Sequence, residues 1–311
     1  MSVVVPARDE ERHVEACVRS ILRQEVDGGL EVVVADGASR DRTAELARAA
    51  GAVVVANPAG ATPAGLNAAL RRARGEIVVR FDAHAEMPPG YVAACVRALD
   101  RHRGAPLCVG GWRRVEGRGP WGRATAAALT SRFGVGNPRI WRPPQDGDEP
   151  VEVDTVALGA WFADELRAAG GWDERYARNQ DFELNERLRR SGGRVVFVPE
   201  VWSVYRPRES PAAIARQYWD YGRFKALLLA ERPGSLRPRQ LAPVGLLAAV
   251  LAAAVPGPSR QPARAAISLY ALTIGAVAAR SSAGWRTAAV LATMHLAWGA
   301  GLVAGFARGR R

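Results

Sequence analysis

A chain of 311 residues, 48% of them hydrophobic, is long enough for one large α/β domain and a smaller second part. Its net charge of +12 is carried almost wholly by arginine, yet the arginines are scattered and no nucleic-acid-binding module accompanies them, so nucleic acid is not the expected partner. Three cysteines, Cys17, Cys95 and Cys108, stand far apart with no Cys-x-x-Cys, which argues against a disulfide framework or a zinc site and suits a reducing cytoplasm. The first residues, Ser2-Val3-Val4-Val5-Pro6, read as a strand and lack the basic region and apolar core of a secretory leader.

Strand and helix then alternate. After Val3 to Val5, the residues Val14, Val18, Ile21 and Leu22 share one helical face. Glu31 to Ala35 is a second strand, stopped by Asp36-Gly37, and Ser39 and Asp41 are good starters for a helix running to Ala50. A third strand covers 51–55, and a helix from Pro63 to Arg74 ends at Gly75. Ile77-Val78-Val79 is a buried strand that ends in Asp82-Ala83-His84, followed by a helix over 89–100 and a strand over 107–110. This alternation predicts a doubly wound, mostly parallel sheet, whose crossover handedness brings Asp36 and Asp82 to one rim.

That rim suits a nucleotide. Ligands of open α/β sheets sit beyond the carboxyl ends of the strands. The loop Pro6-Ala7-Arg8-Asp9-Glu10 leads into a helix N-terminus that favours anions, and Asp36 can accept hydrogen bonds from a base or ribose. Asp82 and His84, two residues apart, can hold a divalent cation against a phosphate. The first turn lacks both the Gly-x-Gly-x-x-Gly of a dinucleotide fold and the Walker loop. Asp181 opens a helix over 182–190; spacing alone leaves it open whether this acid is a cap or a general base. Asp154 is equally open between solvated turn and acceptor ligand, and Glu183, off the Asp181 face, reads as a supporting or salt-bridging residue. Residues 112–150, rich in Gly, Pro, Arg and Trp, read as a long loop able to fold over a donor; Trp112, Trp121 and Trp141 either stack on sugars or fill the core.

Taken in order, Val3-Val4-Val5-Pro6-Ala7-Arg8-Asp9-Glu10, then Val32-Val33-Val34-Ala35-Asp36-Gly37-Ala38-Ser39, then Gly65-Leu66-Asn67, Ala73-Arg74-Gly75-Glu76 and Phe81-Asp82-Ala83-His84, the chain resembles the family 2 glycosyltransferases over roughly residues 2 to 205. Ser131-Arg132-Phe133-Gly134-Val135-Gly136-Asn137, Val153-Asp154-Thr155-Val156 and Arg178-Asn179-Gln180-Asp181-Phe182-Glu183 resemble its succinoglycan-type exopolysaccharide branch. The resemblance implies a GT-A domain over 1–205. It also implies an inverting transfer from a nucleotide sugar, expected to be a UDP-sugar, to a lipid-linked or cell-envelope glycan. Pro6, Ala7, Glu10, Asp36, Asn67 and Asp82 would bind the donor; Asp82 and His84 would hold Mg2+ or Mn2+, with His84 standing where the family usually has Asp. Asp181 would be the base, supported on the acceptor side by Asp154, Gln180 and Glu183. Two other readings are a sugar-phosphate nucleotidyltransferase, which would want a Gly-rich, Lys-bearing first loop, and a non-catalytic nucleotide-sugar-binding scaffold at the membrane.

The C-terminal third changes character. Residues 206–240 predict an amphipathic interfacial helix and linker, with Arg216, Arg223 and Lys225 beside Trp219 and Phe224. Processive members of the family carry Gln-x-x-Arg-Trp here; Gln217-Tyr218-Trp219-Asp220 breaks it, which implies addition of a single sugar. Within 241–311, three Ala-rich stretches, 241–256, 265–279 and 287–306, are read as membrane helices or as buried soluble ones; a span needs ~20 residues. Arg232, Arg237 and Arg239 before them, and Arg308, Arg310 and Arg311 after, both favour the cytoplasmic side, which three full crossings would not allow. The expected location is the cell membrane, with the catalytic domain facing the cytoplasm.

Overall fold

The computed structural model describes residues 1–105, 107–135 and 139–308. Gly136 and Asn137 of the motif above, and Arg310 and Arg311, lie outside the described residues. In chain order the first part is β1 (Ser2–Ala7), α1 (Val14–Leu22), β2 (Glu31–Asp36), α2 (Thr43–Ala49), β3 (Val53–Ala56), α3 (Thr62–Arg72), β4 (Ile77–Arg80), α4 (Tyr91–Arg101), β5 (Leu107–Val115) and α5 (Gly119–Thr130). Then come β6 (Val151–Glu152), β7 (Ala157–Phe162), α6 (Ala163–Ala168), α7 (Gln180–Arg190), β8 (Arg194–Tyr205) and α8 (Pro211–Glu231). The last three are α9 (Leu241–Ala254), α10 (Arg260–Ala279) and α11 (Trp285–Arg308).

The strands form one sheet in the order β3-β2-β1-β4-β7-β5-β8-β6. β3, β2, β1 and β4 are parallel, whereas β7 lies antiparallel between β4 and β5. The parallel half is the alternation read from sequence. The middle residues of β1 and β2 are apolar on both faces because both are covered: Val3, Val5, Val32 and Val34 enter one buried cluster, and Val4, Val33 and Ala35 the other. In β4, Val79 faces the first cluster and Val78 the second, so alternation turns Arg80 to the side where Trp172, Leu184 and Leu188 pack. That face carries α7.

The chain divides into two compact units, residues Met1–Arg114 with Arg142–Val204, and Val115–Trp141 with Tyr205–Arg311. Residues 112–150 are not one loop. β5 runs on to Val115, and the Ala-rich run 124–128 forms α5 behind Pro120 in its first turn, where a missing N–H costs nothing. The second unit gathers α5, α8, α10 and α11 around Ala124, Ala128, Ile214, Tyr218, Ile274, Val290 and Met294. By length and composition, α10 and α11 are candidate membrane spans.

Candidate active site

The carboxyl ends of β1, β2 and β4 open on one rim of the sheet-bearing unit. There the loops after β1 and β2 are laced together. The Ala7 carbonyl accepts from Gly37 N–H at 2.7 Å, Asp9 Oδ1 from Arg40 N–H at 2.8 Å, and Thr43 Oγ1 from Glu10 N–H at 2.7 Å. Asp9 and Ala38 both hold positive φ; for Ala38 this left-handed backbone is a strain that the surrounding bonds must enforce. Pro6 is half-buried in β1, in register with Ala35, and Ala7 is in register with Asp36. Asp36 accepts from Ser39 N–H through Oδ2 at 3.3 Å, while its Oδ1 is buried without a hydrogen-bond partner.

The centre of the rim is a residue that sequence reasoning missed, Arg80. Its Nη2 lies 3.0 Å from Asp82 Oδ1, and its Nη1 donates to Asp181 Oδ2 at the start of α7. The guanidinium side chain is 6% exposed, and the two acids keep 21% and 18%. A buried arginine bridging two carboxylates that still reach solvent sets this charge cluster at the edge of the core. Arg113 of β5 adds a longer contact, Nη2 to Asp82 Oδ2 at 3.8 Å. The sequence held a signal for Arg80: a charged residue closing the otherwise apolar Ile77-Val78-Val79 strand.

The shared guanidinium sits in unlike surroundings. Burial pushes the Asp82 carboxyl up, but Arg80, Arg113, His84 and Arg178 together hold it below the usual carboxylate value. Burial likewise raises Asp181; Arg80 opposes this, Asp82 adds to it, and the result stays above the usual value. Asp181 Oδ1 is buried and makes no hydrogen bond of good geometry, although the Trp172 indole is near enough to lower the carboxyl slightly. Two acids whose environments drive them apart are the usual pattern of divided acid–base roles. His84 is raised, first through its contact with Glu10 (Nδ1 to Oε1, 3.5 Å) and also by Asp82. Among the described residues, no group of three or more His, Cys, Asp and Glu side chains is arranged to hold an ion.

The profile of Glycosyl transferase family 2 matches residues 2–198, which take in every strand of this rim and both acids. The chain belongs to that family. Over 96% of its length it is 29% identical to the succinoglycan biosynthesis protein ExoA of Rhizobium meliloti, covering 92% of that relative. Among solved structures it resembles the mannosyltransferase PcManGT from Pyrobaculum calidifontis in complex with GDP-Man and Mn2+, with a TM-score of 0.67 at 23% identity, covering 98% of this chain and 86% of that one. It also resembles S. aureus TarS 1-349 in complex with UDP-GlcNAc, with a TM-score of 0.54 at 15% identity, covering 99% and 91%. These likenesses carry the GT-A fold.

The remaining candidate residues of this family 2 chain are held as follows. Asn67 of α3 accepts from Trp172 N–H at 2.9 Å and donates to the Trp172 carbonyl at 2.8 Å and to Glu174 Oε1 at 3.0 Å. Its amide thus braces the turn that leads to Asp181. Glu183 is fully buried and clasped by Arg187 at 3.0 Å through both oxygens. Arg187 in turn donates to the carbonyls of Ala169 and Gly171, so the Glu183–Arg187 pair braces the same turn. Gln180 is buried at the first position of α7, and Asn179 before it holds φ 63°, which seats Asp181 on the helix's opening turn. Asp154 lies half-buried in the turn between β6 and β7. The tryptophans have partners of their own: Trp112 stacks on Trp202, Trp121 meets Trp285 edge-on, and Trp141 meets Tyr205.

Proposed function

We propose that the protein is an inverting hexosyltransferase that moves one sugar from a nucleotide-sugar donor, a UDP-sugar, to a lipid-linked or cell-envelope glycan acceptor. The observation that carries this reading is the placing of Asp82 and Asp181 on one guanidinium. One acid is favoured as the anion beside cationic groups, and the other is raised with an unpaired oxygen.

Asp181 takes the proton of the acceptor hydroxyl as that oxygen attacks the anomeric carbon from the side opposite the leaving diphosphate. One in-line displacement inverts the anomeric centre and needs no enzyme nucleophile, the logic of inverting glycoside hydrolysis with a sugar hydroxyl in place of water. Arg80 keeps the two acids at a fixed separation. Asp36, with its unpartnered Oδ1, receives the base or ribose, and Pro6, Ala7 and Glu10 are assigned to the same donor site. Asn67, first expected to touch the donor, is assigned instead to positioning the Trp172 turn.

Asp82 and His84 are the residues that would hold a divalent ion. Asp82 and His84 offer an oxygen and a nitrogen at the rim, and ions that bind with phosphates commonly take only one or two protein carboxylates. The imidazole inclines the choice toward Mn2+ over Mg2+, and PcManGT was solved with GDP-Man and Mn2+. When bound, the ion would neutralise charge on the leaving diphosphate.

The 1–205 segment is assigned the GT-A chemistry, 206–240 the membrane surface, and 241–311 the membrane hold. The arginines at 232, 237 and 239 support a catalytic domain on the cytoplasmic side. A panel of nucleotide sugars with membrane-lipid extracts tests the reading. Transfer from one donor with inverted product configuration is expected. Nucleotide binding without turnover of any donor would favour the scaffold instead.

A further inference from the structure

The second unit contains two helices long and apolar enough to cross a bilayer, and their surroundings differ. α10 exposes most of its length, including Leu269 at 67% and Leu272 at 72%. α9, with Leu241, Val250 and Leu251 exposed, has no buried residue at all. α11 is sheathed. Val290, Leu291 and Met294 pack with Ile214 and Tyr218 of α8 and with Ala124 and Ala128 of α5. Farther along, α8 and α11 meet backbone to backbone. Gly222 lies against Trp298 and Leu302, Gly301 against Trp219, and Gly305 against Arg223 and Ala226. No Cβ fits at Gly222 or Gly301. The small-residue pair Gly301-x-x-x-Gly305, which in a membrane helix would serve association, is already occupied by α8.

α8 is not a lipid-soluble partner. It carries Arg216, Asp220, Arg223 and Lys225 over the stretch that covers α11; Arg216 is exposed, and Lys225 is buried with its Nζ donating to the Ser235 carbonyl at 2.8 Å. Midway along α11, His295 bonds Tyr270 Oη through Nδ1 at 2.8 Å and contacts the Gly134 carbonyl through Nε2 at 3.1 Å, so this part of the helix faces polar protein groups. A crossing α11 would carry α8 and its charges through the hydrocarbon with it, which lipid opposes strongly.

We propose that α11 does not cross the bilayer: it lies with α8 along the membrane surface, and the exposed apolar sides of α9 and α10 are what enter the lipid. This rests on the membrane reading above. The partner is a bilayer with anionic headgroups, matched by Arg232, Arg237 and Arg239 at the entry to α9. α9 with the turn before it has 17 residues and α10 has 20, about 26 and 30 Å of helix, so the pair enters and returns. Both flanks of α11 then stay on one side, which removes the conflict between three crossings and arginines at both ends.

The test uses the full chain in bacterial membranes, with Ser282→Cys before α11 and Ala307→Cys near its far end, made singly. Both positions are exposed, and Cys17, Cys95 and Cys108 are buried, so the parent chain gives the background. A membrane-impermeant maleimide is applied to inside-out and right-side-out vesicles. Labelling of both variants in the same vesicle orientation, and in that one only, is expected. Labelling of one variant in each orientation makes α11 a span and overturns the proposal while leaving membrane attachment intact. Absence of the protein from the membrane pellet would remove the membrane reading and this proposal together.

Discussion

The carboxylates of Asp82 and Asp181 bind two ends of one buried guanidinium, that of Arg80. β4 delivers Arg80 and Asp82, and α7 delivers Asp181, so the sheet and the helix packed on it meet at this side chain. Removing the cation leaves two neighbouring acids without their common partner. Arg80→Met is expected to destabilise the fold by about 3 kcal/mol, the lower end for a broken buried ion pair because both acids keep some contact with solvent. Arg80→Lys keeps the charge but not the fork, and is expected to recover stability better than transfer rate. Urea unfolding and transfer assays on the two variants check this; a fully active Arg80→Met would remove Arg80 from the site.

The opposed shifts give a pH signature. Asp181 accepts a proton only when ionised, and its carboxyl is raised. The acid limb of the transfer rate should therefore lie above the ordinary aspartate value of about 3.9. For stability the signs oppose. The raised Asp181 makes the folded state hold its proton longer, so ionising it costs stability as pH rises from the unfolded value to the folded one. The lowered Asp82 contributes stability above the unfolded value and loses it as pH falls through its folded value. A rate profile flat down to pH ~3.9 would contradict the assignment of Asp181 as base.

Asp82→Ala is expected to weaken nucleotide affinity by at least about tenfold when Mn2+ is present, and to leave little difference between affinities with and without the ion. His84→Ala should lose more with Mn2+ than with Mg2+, since the imidazole favours the softer ion. Calorimetric titration of the nucleoside diphosphate with each ion measures both effects. Unchanged affinity in Asp82→Ala would take this residue out of diphosphate binding.

Asn67→Ala separates bracing from donor contact. The brace predicts a loss of about 1–3 kcal/mol from the unpaired Trp172 backbone groups, a lower kcat, and nucleotide affinity close to that of the parent chain. A large drop in nucleotide affinity with kcat preserved would restore Asn67 to the donor pocket.

Much of this was legible in the sequence. The apolar strands, the acids that stop them and the helix-opening Asp181 are local patterns, and the parallel crossover rule carries Asp36 and Asp82 to one rim. What was hidden depends on pairing across distance. β7 enters between β4 and β5 as an antiparallel strand, and nothing in the Ala157–Phe162 run states its direction. Arg80 looked like the end of a strand because its partner Asp181 lies far along the chain. The bonds of Asn67 to the Trp172 backbone were not legible either, because a motif names residue types and not the bonds their amides make. The Gly- and Pro-rich stretch hid α5, whose alanines favour a helix and whose Pro120 stands in its first turn.

Asp181→Asn tests the central claim most directly, since it keeps the size of the side chain and removes its ability to take a proton. Nucleotide-sugar binding by calorimetry and single-turnover transfer are measured on the same preparation. The expected result is binding close to that of the parent chain with transfer reduced by on the order of 10²- to 10⁴-fold, the usual worth of a positioned base. Transfer at the parental rate would contradict the assignment.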